Sequence, residues 1–228
     1  MNKQPLSDAI ARAGDYLKAH GIRLDHGLAS QVSALKTVDY YRRALGRDVL
    51  DFYRGDMGAG EFVEDMIRLI EGQFERAWNE GMREVGLDPA KDMKPEWEQV
   101  LQDEISAELD HVLDYAQAIE DARIAGNPVD PLQARVDLWT NRYNEIVNLS
   151  MRTCEPKMNY AWRLGATEEH CLTCAALDGI IASGTDWEVS GYHPQGAPNE
   201  KLECGGWRCD CRLEPTDEKA TEGGIPGV

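Results

Sequence analysis

The sequence predicts a mainly α protein: a helical N-terminal bundle followed by a small α+β module. Two observations carry this. Over the first 150 residues, apolar side chains recur every three or four positions, the period of a helix with one buried face. Five of the six cysteines then crowd into the last third, between Cys171 and Cys211, among short alternating stretches and turn residues. The reading divides the chain into a helical domain over 1–152, a cysteine-rich module over 153–214 and a frayed tail over 215–228.

The elements follow from local pattern. Ser7 caps a first helix carrying Leu6, Ile10, Ala13 and Leu17, which ends near Gly21. A long helix then steps through Leu28, Val32, Leu35, Val38, Tyr41, Leu45, Val49 and Phe52, and the glycines at 55, 58 and 60 break it. Phe62, Met66, Leu69, Phe74, Ala77 and Trp78 mark the next helix, which stops near Gly86. Residues 87–95 read as a link. From about Glu96 to Arg123 another helix sets Trp97, Leu101, Ile105, Leu109, Val112, Ala116 and Ile119 on its apolar side. That stretch has no Lys or Arg between Lys94 and Arg123, so it presents either a solvated acidic face or a dock for a basic partner. Asp130 and Pro131 open a last long helix to about Met151, with Asp130 as the cap. Met158–Leu164, Gly179–Ile181 and Arg208–Leu213 read as short strands, the third returning beside the first. The aromatic and Met stripes read as core, not as a cofactor box.

Charge and motif bound the function. The formal net charge is −17 and the pI about 4.6, which disfavours a broad nucleic-acid surface, because such binding rests on neutralising phosphates. No apolar run is long enough to span a membrane, and Met1–Ser7 has no signal-peptide core. No His-Glu-x-x-His, Gly-x-Ser-x-Gly, Walker loop or Gly-x-Gly-x-x-Gly occurs. Glu168-Glu169-His170-Cys171 has the wrong order for a zinc deaminase. The expectation is a protein without catalytic activity.

The cysteines point to a metal. Cys171-x-x-Cys174 is a knuckle, and Cys204, Cys209 and Cys211 form a second cluster. In a reducing compartment, short-spaced cysteine pairs serve a tetrahedral zinc better than a disulfide. The module is therefore read as zinc-stapled, the zinc being structural. Cys171 and Cys174 give one half of the site, and the other half is drawn from Cys204, Cys209 and Cys211. His170 and His193 are weaker candidates, and Cys154 is not expected to ligate. Asp178, Asp186 and Glu188 would make an acidic cluster near the metal, although turn and loop roles explain them as well.

At Cys171, Cys174, Leu177, Gly179, His193-Pro194 and Cys209-Asp210-Cys211 the chain resembles the phage Mu F-like minor head protein family. The resemblance covers roughly residues 158–214. Asp210 replaces a usual basic residue, His193-Pro194 lies well upstream of Cys209, and Cys204 is additional. The resemblance implies a minor head protein of a tailed phage or prophage, found in the virion head and in the host cytoplasm during assembly. Its implied partners are the portal and the major capsid protein. A small zinc-dependent phage enzyme of nuclease type and a DNA-packaging accessory are the other classes left open.

Overall fold

In a computed structural model, backbone is described for residues 26–165, 169–207 and 209–226, and side chains from Thr37 onward. The expected helix capped by Ser7 lies outside the described residues. Residues 37–228 form one compact unit. Among the described residues five helices come first: α1 His26–Arg54, α2 Ala59–Glu84, the short α3 Pro89–Asp92, α4 Pro95–Ala125 and α5 Asp130–Cys154. The remainder is β1 Asn159–Arg163, α6 Leu172–Leu177, β2 Ile181–Ser183, α7 Gly184–Ser190 and β3 Arg212–Thr216. The protein is thus mainly helical, with one small antiparallel sheet in order β2-β1-β3. Among the described residues no helix is long and apolar enough to cross a membrane.

The stripes read from sequence are largely the buried faces; Leu69 and Leu109 are corrected, the first being half-buried and the second exposed at the margin of its helix's apolar side. Tyr41, Leu45, Val49 and Phe52 of α1 are buried, as are Phe62, Met66, Ile70, Phe74 and Trp78 of α2 and Trp97, Leu101, Ile105 and Val112 of α4. α2 is the central helix, packing most extensively on α5 and next on α4. An aromatic chain runs through this core: Phe52 stacks on Phe62 at 4.8 Å, and Tyr115 tilts against Trp139 at 5.0 Å. Ring pairs at these separations add to the hydrophobic gain of burial. Several polar groups inside the core bond across helices, although Gln73 Oε1 and Trp78 Nε1 are buried without a hydrogen-bond partner. Gln73 Nε2 donates to the Trp139 carbonyl at 2.6 Å, Trp139 Nε1 to Glu108 at 2.9 Å, and Ser150 Oγ to the Trp78 carbonyl at 2.8 Å.

Gly81 sets how closely α2 and α5 approach. A Cβ there would stand 2.5 Å from the Val147 carbonyl oxygen and 2.7 Å from Ser150 Cβ. Backbone on the facing helix has no rotamer to yield, so Gly81→Ala forces the helices apart. We expect a loss of roughly 1–3 kcal/mol, the usual scale of overpacking, read as a lower urea midpoint at unchanged slope. A midpoint equal to that of the parent would show that the helices separate without cost.

Several expectations are corrected. The cap of α5 is Val129, whose backbone is already helical, and Asp130 is the first residue of the helix. The link at 87–95 holds α3, which Asp88 caps by accepting from the Ala90 N–H at 3.1 Å. α5 runs through the expected boundary at 152–153, and residues 37–228 form one compact unit. The segment from Pro215, expected as a frayed tail, is tied down. β3 extends through Thr216, Thr221 exchanges hydrogen bonds with Ile181 through its backbone N–H and its hydroxyl, and Ile225 is buried. Pro215, which cannot donate to a ladder, sits on the edge strand β3, where that costs least.

β1 is the central strand and is buried on both faces at Tyr160, Ala161 and Trp162. It pairs with β2 from Asn159↔Ser183 to Ala161↔Ile181, and with β3 from Asn159↔Thr216 to Arg163↔Arg212. This pairing delivers the chain just before β3, Cys209 to Cys211, to the side of the chain just after β1, Gly165. A Cβ at Gly165 would land on Asp210, so only glycine lets the two segments pass.

Candidate metal centre

All six cysteines are free thiols. Cys171 is the N-cap of α6, and its sulfur accepts the Cys174 N–H at 3.3 Å. This is the local geometry of a Cys-x-x-Cys knuckle: the turn that begins the helix sets both sulfurs on one side. Across from it, Cys209 Sγ accepts the Cys211 N–H at 3.4 Å. The segments are pinned to each other by Glu203, whose carboxylate accepts the Leu172 N–H at 2.8 Å and whose own N–H donates to Thr173 Oγ1 at 3.3 Å.

The sulfurs converge. Cys174 Sγ lies 3.9 Å from Cys204 Sγ and 3.7 Å from Cys209 Sγ. Four sulfurs each 2.3 Å from a tetrahedral zinc would be about 3.8 Å apart, so these separations suit a common ion. A disulfide would need about 2.05 Å. Two sets of three, Cys171/Cys174/Cys204 and Cys174/Cys209/Cys211, have sulfurs within 4.8 Å of one another, and Cys174 belongs to both. The cluster of five can therefore hold a metal ion. Among the described residues, His170 and His193 join neither set, and neither does Cys154. Cys154 is buried at the end of α5 beside Ser150, and burial pushes its thiol up to about 11.

The five thiols divide: Cys171 and Cys211 are lowered, whereas Cys174, Cys204 and Cys209 are raised. Hydrogen bonding with Cys174, then with Cys209, pulls Cys211 down to about 4, with the Gly165 N–H assisting. The buried indole N–H of Trp162 has no close hydrogen-bond partner, and it acts on Cys211 in the same direction. For Cys171 burial opposes ionisation, but the N–H groups of Cys174 and Cys204 outweigh it and the thiol is lowered. Cys174 is raised by its hydrogen bonds with Cys209 and Cys211. Burial likewise raises Cys204. A divalent ion would displace these shared protons, since it is the thiolate that ligates.

The acids read as a cluster near the metal serve the fold. Asp178 accepts the Leu164 N–H at 3.2 Å. Asp186 closes a capping box with Ser183 at the start of α7. Glu188 pairs with the buried Arg152 at 3.1 Å and lies 3.6 Å from His193.

Sequence reasoning missed how α5 carries the centre. Its polar side chains look ordinary in sequence, yet they hold the cysteine segments. Asn148 Oδ1 accepts the Leu213 N–H at 3.0 Å. Asn144 Nδ2 donates to Gln195 Oε1 at 3.1 Å, and Gln195 Nε2 donates to the Cys211 carbonyl at 2.9 Å. Gln195 does this from a left-handed backbone, φ 61°, that only a tight turn imposes. The one signal was the polar spacing Asn144, Asn148, Arg152, a regular i, i+4 ridge on an otherwise amphipathic helix.

Beside that ridge lies a half-buried charge group. Arg142 contacts Glu104 at 2.7 Å, Glu108 at 3.2 Å and Glu145 at 2.9 Å. Burial pushes the Glu145 carboxyl from 4.5 up to about 7; Arg142 pulls against it and Glu104 adds to it. The folded state therefore holds a proton that the unfolded state has released. The stability this gives is full below pH 4.5 and is lost as pH rises through 7. Glu145→Gln should match the parent near pH 5 and exceed it at pH 8 by on the order of 2 kcal/mol, in urea titrations at the two pH values. Equal pH slopes for the two proteins would show that Glu145 titrates normally.

A scan against family models matches none, and searches of curated proteins and of solved structures likewise return no match.

Proposed function

We propose that this protein is a structural, minor head component of a tailed phage or prophage, binding portal or major capsid protein, with a zinc ion that folds its C-terminal module. The observation that carries the zinc is the sulfur geometry: separations of 3.7 and 3.9 Å about Cys174 suit one tetrahedral ion. Cys171 and Cys174 would hold it with two of Cys204, Cys209 and Cys211. All candidate ligands are sulfur, the donor set of closed structural sites, whereas catalytic zinc keeps a position for water beside His or carboxylate. Bound there, the ion supplies cross-linking. It would join the α6 knuckle to the strand that leads into β3, a region with too little apolar area of its own to order them. The head role rests on the resemblance of residues 158–214 to Mu F-like proteins, and the long helices supply surface for a partner.

The test is complementation of a phage deleted for this gene, scored as infectious particles, with metal content and proteolytic resistance measured on each purified variant. Cys174→Ser should lose particles. Asp210→Asn is the informative control, because Asp210 is an exposed carboxylate between two candidate ligands and is where a metal-assisted hydrolase would place an acid. Its particle yield should stay within about twofold of the parent, as for surface substitutions generally. A folded, zinc-loaded Asp210→Asn protein that gives no particles would replace the structural reading with the enzymatic one.

A further inference from the structure

We propose that the outward face of α4 is a docking surface for a basic amphipathic helix of a partner protein. Leu109, Leu113 and Ile124 are 43%, 48% and 73% exposed, large apolar side chains that no other described residue covers fully. At 100° per residue their spacing of four and eleven keeps them within a stripe about 60° wide. Beside it runs a second stripe. Asp103, Asp110, Asp114 and Asp121 are all exposed, and steps of seven, four and seven align them within about 40°. The apolar rail runs about 22 Å and the acidic rail about 27 Å, and together they occupy about 32 Å of one helix, the length of a partner helix of some twenty residues.

The two flanks of α4 are used differently. On the inner side Glu104 and Glu108 meet Arg142 of α5. On the outer side the helix offers no Lys or Arg between Lys94 and Arg123, and Arg123 is paired with Glu120. Gln99 and Gln117 hold Asp103 and Asp121 at 2.8 Å as neutral donors. Asp110 and Asp114, one turn apart, repel each other in the isolated chain, and a cation from outside relieves that. The chemistry selects the occupant. Leucines at i, i+4 take the apolar face of a helix whose flanks carry Lys or Arg. A second copy would set acid against acid at a net charge of −17 per chain, and nucleic acid or an acidic lipid surface would be repelled likewise.

This inference stands whether or not the head role is right. Its test uses the full-length, metal-loaded protein and a synthetic helical peptide of about twenty residues, with leucines on one face and lysines flanking them. A permuted peptide of equal composition, its leucines spread around the helix, is the comparison. Binding is measured by fluorescence anisotropy at about 0.1 M salt. The amphipathic peptide should bind at least about tenfold tighter than the permuted one. The Asp103→Asn, Asp110→Asn, Asp114→Asn, Asp121→Asn variant, and separately Leu109→Ser with Leu113→Ser, should each weaken it about tenfold. A control set that removes four exposed acids around and on α2, Asp56→Asn, Glu64→Gln, Glu71→Gln and Glu75→Gln, should change it by less than about twofold. Circular dichroism checks that each variant is folded. The proposal is overturned if the permuted peptide binds equally, if the control set weakens binding as much as the α4 set, or if neither peptide binds. It is also overturned if the leucine variant turns a dimer into a monomer in sedimentation, since the face would then be a self-interface.

Discussion

Cys174→Ser is expected to abolish metal binding and to unfold the cysteine module while α1 to α5 remain helical. Cys174 is the one sulfur common to both sets of three, so no four-ligand choice built on the geometry omits it. Structural zinc in small domains is worth on the order of 10 kcal/mol, enough to decide whether such a region is folded. The helices keep their own core around Phe62, Phe74, Trp78 and Tyr115, all fully buried, and should retain most of the far-ultraviolet helical signal. Cys204→Ser and Cys211→Ser should each do less, because a fifth thiol stands near to substitute. Cys154→Ser should leave the metal in place. Elemental analysis with limited proteolysis reads all four variants: new cleavage should fall between residues 164 and 210 in Cys174→Ser alone or most strongly. A Cys174→Ser protein with a full complement of zinc and unchanged proteolysis would rule out the shared-corner geometry.

That ranking of the cysteines could not be read from sequence, although their membership could. Spacing brought Cys171, Cys174, Cys204, Cys209 and Cys211 together as one candidate site, because short loops leave sulfurs little freedom to diverge. The choice of Cys174 as corner depends on α6, whose first turn leaves Cys171 half-exposed and buries Cys174 beside Cys204 and Cys209. α6 is six residues long, too short for its apolar period to show. α7 was missed for the same reason, and with it the positions of Asp186 and Glu188. Both look like loop acids beside glycines, and both turn out to belong to a helix end and an ion pair.

The long helices were legible because each buries one continuous stripe, and a stripe repeated over 25 or more residues leaves few alternatives. Their ends were less so. Asp130 before Pro131 has the composition of a cap, yet helical backbone already at Val129 moves it inside. The last segment misled in the other direction. Pro, Thr, Asp, Glu and Gly have the composition of a tail, but Pro215 is tolerated on an edge strand, and Thr221 and Ile225 find partners only because β2 lies where tertiary structure puts it. Pairing between distant segments leaves little local trace.

The second large effect is expected at Trp187. It is fully buried in α7, its ring centre is 5.6 Å from that of Trp162, and its indole N–H donates to the Tyr160 carbonyl at 2.9 Å. Trp187→Ala removes the largest side chain under β1 and leaves that carbonyl without its partner. The cost should be about 3–5 kcal/mol for the cavity, with about 1 kcal/mol more for the lost hydrogen bond. The consequence should reach the metal. Trp162 stands between Trp187 and Cys211, and its indole helps hold the Cys211 sulfur anionic. With Trp187 gone, Trp162 is free to settle into the cavity and Cys211 loses that support. Zinc affinity, measured by competition with a chelating dye, should fall about tenfold or more, the scale seen when groups behind a ligand are removed. Trp78→Ala is the matched control. Trp78 is as fully buried, but in α2, where its carbonyl accepts from Ser150 of α5. It should lose comparable stability in urea with zinc affinity unchanged. If both variants lose stability and neither loses zinc affinity, the tryptophan pair supports the sheet alone and the thiol centre is set by its own loops.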